Sequence, residues 1–466
     1  MPATAAPARP STRTPVLESA RQVLDPALLR DALRTDPADA TLAAALRCGA
    51  AVALALAVPG LLGRTDLAAF ASLGALTSLY GRYDPYRRRA SLLAGVGTLM
   101  TASIAVFALL AALDVPTPVL LVGVAALAAG TTALCLLLRT GPPGATIVVF
   151  AAGAGLAGTP GLDDVGPRAL AGACGALLAW AVCMAGVVVR PSGPAGLAVR
   201  RALDATRTVA TRSTVAPART DADAVGHARA AVARAREVLA DDLSWRRPRP
   251  AAVELSHELD LVERAIDDID DTDDTADTDP QDASRPGPRR STLRAQVRAS
   301  LPGQWRLPTV RVALAGVVAG GVASAAGLGH AAWATMGSTA VLQGGSARHA
   351  VVRAVQRGAG TVAGALLAWP LLAAHLGFWW TAAVVVVLQT VTEVVVGRHY
   401  GLAMLTITPM ALLMTSLAHP ADPSGLALDR GLDTVIGALV GVLAVVLVHA
   451  RRPATGTATE RPQAAR

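Results

Sequence analysis

Twelve apolar runs, bounded by arginine, glycine, proline or aspartate, constrain this chain more than any motif in it. A bilayer core about 30 Å thick takes about 20 helical residues. Runs near 42–62, 67–80, 90–113, 118–138, 143–160 and 168–189 read as spans. After a polar interval, 308–328, 330–344, 357–376, 377–396, 400–418 and 430–450 repeat the pattern. The runs predict an all-α membrane protein of about 12 transmembrane helices, six in each half. Composition agrees, with 53% hydrophobic and 16% charged residues, against about 25% charged in a soluble domain.

Arginine placement predicts the orientation. With the N-terminus inside, the inner loops hold Arg82, Arg87, Arg88 and Arg89, then Arg139, then a long Arg-rich middle segment. In the second half they hold Arg348, Arg353 and Arg357, then Arg398, then Arg451 and Arg452. The outer loops hold Arg64, Arg168 and Arg430 beside Asp114, Asp163, Asp164 and Asp422. This is the positive-inside pattern, and it puts both termini in the cytoplasm of a multi-pass plasma-membrane protein. The net charge of +8 is accounted for by that topology, so no nucleic-acid partner is expected. The organisation read from the chain is a cytoplasmic tail (1–40), a membrane half (41–190), a cytoplasmic helical segment (191–307), a second membrane half (308–450) and a tail (451–466). No apolar leader precedes residue 40, so no cleaved signal peptide is expected.

Every basic side chain is arginine, because the sequence contains no lysine. That excludes a phosphate-binding Walker lysine and a Schiff-base lysine. Cys48, Cys135, Cys174 and Cys183 lie scattered in apolar runs without paired spacing, which reads as buried free thiols rather than a metal or redox site. No cofactor is implied.

The halves resemble each other. The stretch "FASLGALTSLYGRYDPYRRRASLLAGVGT" (70–98), shifted by 263 positions, falls without a gap on 333–361. Phe70 meets Trp333, and Gly74, Gly81, Gly95 and Gly97 meet Gly337, Gly344, Gly358 and Gly360. With a one-residue slip Arg47 meets Arg311, Arg168 meets Arg430 and Gly175 meets Gly437. An even number of spans per half makes these parallel repeats, common in carriers. The second run of each half is short and rich in Gly, Ser and Thr, the best sequence pointer to a transport site. The alternative is close helix packing through small residues. Ser72, Thr77, Ser338, Thr339 and Gln343 supply polar groups there, and Phe70 and Trp333 supply rings. Arg47 and Arg311, near the inner ends of the first spans, suit carboxylate capture or simple topological anchoring. The same two readings apply to the arginine knot at 82–89.

These two stretches resemble the fusaric acid resistance protein-like (FUSC), or aromatic acid exporter, family. The second is the more characteristic, with Trp333, Gln343, Arg353, Arg357 and the Gly360-Thr361 pair in place. In the first half Ala94 stands opposite Arg357, and Tyr80 opposite Gln343. The resemblance implies two six-helix membrane halves around a cytoplasmic helical segment, transporting aromatic carboxylates or other organic anions. It also implies Arg353 and Arg357 as substrate contacts. Plant aluminium-activated malate channels are similar more distantly.

In the middle segment Val225, Ala228, Val232, Ala235, Leu239 and Leu243 recur at helical steps, as do Leu255, Leu259, Val262, Ile266 and Ile269. Pro248 and Pro250 separate the two stripes, and a third helix is expected over 195–212. Nine aspartates follow between 267 and 282; they lack the Gly and terminal Glu of a calcium loop and read as a solvated linker. Gly153, Gly155 and Gly158 form GxGxxG, but an outer turn follows instead of the required acidic residue. Glu393 lies in an otherwise uncharged span, where a carboxylate costs about 2.5–3.5 kcal/mol. It and Asp433 are therefore candidates for proton coupling, Glu393 having the alternative of pairing with Arg398. His330 and His375 fall at the outer boundary.

The expectation is a proton-coupled exporter of organic, aromatic-carboxylate-like anions, with the bilayer and the anion as partners. The sequence is also compatible with homo-oligomers. A passive organic-anion channel, or a membrane-anchored scaffold, remains as the alternative. No cluster of catalytic side chains supports an enzyme.

Overall fold

The computed structural model describes residues 27–35, 42–215, 222–244, 249–271, 292–343, 347–418 and 422–449. Among them the regular structure is entirely helical. The first half comprises α1 (Ala27–Leu33), α2 (Leu42–Leu61), α3 (Ala68–Ala75), α4 (Tyr86–Ala112), α5 (Thr117–Leu138), α6 (Thr146–Leu156) and α7 (Leu162–Met184), with the one-turn α8 (Gly186–Val189). Then come α9 (Gly193–Val215), α10 (Ala222–Leu243), α11 (Pro250–Asp271) and α12 (Leu293–Ser300). The second half comprises α13 (Arg306–Ala325), α14 (Ala332–Val341), α15 (Ala347–Ala373), α16 (Phe378–Val395), α17 (Tyr400–Ala418) and α18 (Pro423–His449). Prolines mark several starts, where a missing N–H costs nothing: Pro85 precedes α4, Pro116 precedes α5 and Pro423 opens α18.

The chain is a multi-pass membrane protein, but the expected count of about 12 full spans needs correction. Eight helices among the described residues are long and apolar enough to cross: α2, α4, α5, α7 with α8, α13, α16, α17 and α18. The short second runs became α3 and α14, of 8 and 10 residues, or about 12 and 15 Å of helix. The fifth run of the first half became α6, of 11 residues. Neighbouring helices, not lipid, cover them: all eight residues of α3 and nine of the ten in α14 are buried. Short helices are tolerated at membrane depth where protein surrounds them. The remaining run became α15, 27 residues long, with Arg348, Arg353 and Arg357 in its first three turns.

Helix starts also differ from the apolar boundaries. Arg87, Arg88 and Arg89 lie in the first turn of α4, and Arg348, Arg353 and Arg357 on α15, rather than in loops. Arg168 and Arg430 lie two turns inside α7 and α18 and are buried. Hydropathy marks where apolar character stops. Arginine is a good helix former, so the helix runs on past that point.

The two halves pack by one scheme. In the first, α3 lies between α2 and α7 while α4 packs on α6 and α7. In the second, α14 lies between α13 and α18 while α15 packs on α17 and α18. The halves exchange contacts reciprocally, α5 against α13 and α16 against α2, with α6 touching α14 and α17 touching α3. Matched glycines permit the closest crossings: a methyl on Gly175 would collide with the Ala71 carbonyl, and one on Gly437 with the Ala334 carbonyl.

The middle segment forms an antiparallel three-helix unit, α9–α11, with its own apolar core of Val199, Val225, Val232, Leu239, Leu259, Val262 and Ile266. Both sequence stripes face that core. The acidic run continues α11 to Asp271, and 272–291 lie outside the described residues. Arg234 of α10 reaches Asp84 at 2.9 Å, and Glu237 lies 3.6 Å from Arg88, joining this unit to the start of α4.

Candidate functional site: an aromatic cleft between the halves

Where α3 and α14 begin and α6 and α17 end, the two halves leave a narrow apolar cleft with a free volume of ≈ 30 Å³. Each half gives one short helix and one partner: Phe70 and Leu73 of α3 with Phe150 and Gly153 of α6, then Trp333 of α14 with Met414 and Thr415 of α17.

A buried arginine stands behind each ring. The Arg168 guanidinium lies 5.0 Å from the Phe70 ring, and that of Arg430 lies 4.9 Å from Trp333. Phe70 and Trp333 are the residues that the internal repeat superimposes, and so are Arg168 and Arg430. A cation on a desolvated ring contributes about 2 kcal/mol. Trp333 also stacks on His330, centroids 4.2 Å apart, and the Asp429 carboxylate accepts from the Gly329 N–H at 3.2 Å and lies 3.4 Å from His330 Nδ1. The two arginines differ in their partners. Arg168 donates to the carbonyls of Gly155 and Ala157 at the end of α6. Nε and Nη1 of Arg430 have no hydrogen-bond partner, nor does either oxygen of Asp433 one turn further on.

The opposite end is closed by polar links. Tyr80 Oη donates to the Gly144 carbonyl at 2.5 Å. Gln343, its repeat counterpart, donates to the Pro143 carbonyl and to Thr146 Oγ1, both at 2.8 Å. Arg82, on the turn before α4, pairs with Glu393 of α16 across the two halves, so Glu393 is not the partner of Arg398. Arg89 steadies that turn by donating to the carbonyls of Gly81, Arg82 and Asp84. The arginine knot is thus structural wiring. Beneath it Cys48 receives hydrogen bonds from Ser78 and Gln389.

Of the polar residues singled out in the sequence, several are consumed locally. Ser72 donates to the Ala69 carbonyl, Thr77 to Met100 Sδ, and Ser338 and Thr339 to the Thr335 carbonyl. None of these lines the cleft. Arg47 and Arg311 are half-buried on α2 and α13. Arg353 donates to the Ala340 carbonyl and Gln343 and covers the Tyr400 ring at 4.1 Å, while Arg357 donates to Tyr400 Oη at 2.7 Å. Of the thiols, Cys48 and Cys183 are buried and Cys174 is exposed. Gly153 and Gly155 lie within helix α6, not after a strand. Sequence reading missed Arg168 and Arg430 as site residues by assigning them to loops. The signal was present in the repeat, where ring and arginine each recur at nearly the same offset.

Residues 317–444 match the model of the fusaric acid resistance protein-like family. The second membrane half is thus similar to that family. The matched region includes Trp333, Arg353, Arg357 and Arg430. The Bacillus subtilis (strain 168) protein named uncharacterized membrane protein YvaC is 31% identical over 152 residues. That alignment covers 32% of this chain and 24% of the relative, so the chain spans about a quarter of the relative it matches. No solved structure gives a significant match. Among the described residues no group of three His, Cys, Asp or Glu side chains is placed to hold a metal ion.

Proposed function

We propose that this protein exports a small organic anion of aromatic-carboxylate type through the path between two duplicated halves, driven by the proton gradient. The observation that carries the reading is the arginine-backed pair of rings, Phe70 with Arg168 and Trp333 with Arg430, facing one cleft from matched positions. Flat aromatic walls suit an aromatic ring, and a guanidinium suits its carboxylate. The reciprocal packing of the halves supports parallel duplication, with twelve membrane-embedded segments of which eight are full spans. The arginine distribution supports cytoplasmic termini and a cytoplasmic α9–α11 unit, which makes the cleft outward-facing and the Arg82–Glu393 end inward-facing.

Of the two carboxylates proposed for coupling, Asp433 suits a proton carrier better. A carboxylate with a committed arginine partner resists protonation, whereas Asp433 is fully buried, lacks a hydrogen-bond partner and lies one turn from the arginine behind Trp333. Proteoliposomes with benzoate as probe test the reading. Uptake should follow an imposed pH gradient and be lost in Asp433→Asn and in Trp333→Ala. Benzoate flux without any pH dependence would replace the carrier by a passive channel. No flux of benzoate or its hydroxylated analogues would overturn the reading.

A further inference from the structure

The second half buries more positive charge than it balances. Arg353 and Arg357 of α15 meet on Tyr400, and α15 packs along α18, which carries the buried Arg430 and, one turn further on, the buried Asp433. Arg357 and Arg430 are 3% and 1% exposed, and Asp433 is 0% exposed. Counting Asp429 at the cleft rim as well, three guanidiniums face two carboxylates.

Hydrogen bonding is as incomplete as the charge. Arg357 Nε, both Arg430 nitrogens named above, both Asp433 oxygens and the hydroxyls of Thr361, Thr408 and Thr434 lack partners, all on α15, α17 and α18. Buried polar groups are normally satisfied, and each exception calls for an explanation. The first half shows that the fold does not require this cluster. At the matched positions it has Ala94 for Arg357, Ala171 for Asp433 and Gly172 for Thr434. Its one retained arginine, Arg168, is satisfied by carbonyls.

An uncompensated cation in a membrane interior is costly, and the economical remedy is an anion that accepts charge-assisted hydrogen bonds. We propose that the second half holds one small monovalent anion between Arg357 and Arg430. Its chemistry is that of a halide or of a single carboxylate head, with the hydroxyls of Thr361, on the Arg357 face of α15, and Thr408 as further donors. Asp433 opposes this anion and limits its affinity. The site shares Arg430 with the Trp333 wall of the cleft, but its chloride arm stands whether or not benzoate is transported.

The test uses the full chain in nanodiscs, its melting temperature followed while chloride replaces gluconate at constant ionic strength, and in a parallel arm with benzoate. A saturable stabilisation by chloride is expected, weakened at least tenfold in Arg357→Gln and Arg430→Gln and retained in Arg139→Gln, an exposed-arginine control. Stabilisation by benzoate but not chloride, with the same sensitivity, identifies a carboxylate as occupant and also supports the site. Asp433→Asn keeps both guanidiniums and should tighten binding at least threefold. It decides the matter if the glutamine variants do not fold, unchanged affinity then overturning the proposal. No saturable response to either anion, or one that survives in both glutamine variants, overturns it as well.

Discussion

The two arginine–ring pairs occupy the same place in their halves and have met different fates. Arg168 spends its donors on the last carbonyls of α6, so it locks the first half. Arg430 leaves donors unspent beside an equally unspent Asp433. On the proposed duplication, the arginine of the first half is a brace, whereas that of the second keeps unspent donors. The difference teaches that a repeat preserves where a side chain sits more faithfully than what that side chain does.

The largest expected effect probes what the halves share. Gly175→Val and Gly437→Val each push a side chain into the backbone of the crossing short helix. Each should cost about 3 kcal/mol or more, read as loss of monodisperse protein or a collapsed melting transition. Tolerance of one and not the other would break the equivalence. Next comes the tie between the halves. Glu393→Gln leaves Arg82 without its carboxylate and should destabilise by about 3 kcal/mol, with Cys48 becoming reactive to thiol reagents. In reconstituted protein the same variant should also lose pH-gradient-driven efflux, because the inner seal fails. Unchanged uptake kinetics would deny Glu393 any part in the cycle.

The arginines themselves sharpen the comparison. Arg168→Gln removes two hydrogen bonds from a charged donor and should lower stability by about 2–3 kcal/mol. Arg430→Gln removes a buried charge whose Nε and Nη1 have no hydrogen-bond partner, so in gluconate buffer it should cost less stability than Arg168→Gln, although benzoate transport is lost. Equal losses of stability in both variants would erase the proposed division of labour. The smallest effect lies outside both halves. Burial pushes the Asp242 carboxyl of α10 up to about 6, against the pull of Arg249 and with a lesser push from Asp241. The folded unit therefore binds that proton more tightly than the unfolded chain does. Its stability falls as pH rises from about 4 to about 6 and stays lower above that range. Asp242→Asn should raise the melting temperature at pH 7.5, by about 1 kcal/mol of stability, and do nothing at pH 4.

Much of the architecture was legible in the chain, because apolar runs in lipid have few alternatives to helix. The stripes of α10 and α11 predicted the buried faces from Val225 to Leu239 and from Leu259 to Ile266, whereas the side chain of Ile269 lies outside the described residues. Hydropathy failed at boundaries, where arginine continues a helix that apolar character has left, as at Arg168 and Arg430. It also failed to distinguish a segment covered by lipid from one covered by protein, which is why α6 looked like a full span and the short runs of α3 and α14 were still counted among the twelve. At the site, Phe70 and Trp333 were found through the repeat. The hydroxyls of Ser72, Thr77, Ser338 and Thr339 misdirected attention, since serine and threonine in a helix commonly turn back on their own carbonyls. The pairing of Arg82 with Glu393, 311 positions away, had no local signal at all.

Sided labelling of single cysteines with a membrane-impermeant maleimide tests the central claim most directly. Arg87→Cys and Arg348→Cys, in the first turns of α4 and α15, should react from the cytoplasmic face, and Thr415→Cys in the cleft should react from the opposite face. Residues 87 and 348 on different faces would contradict the parallel duplication, and residue 415 sharing the face of residue 87 would contradict the outward cleft.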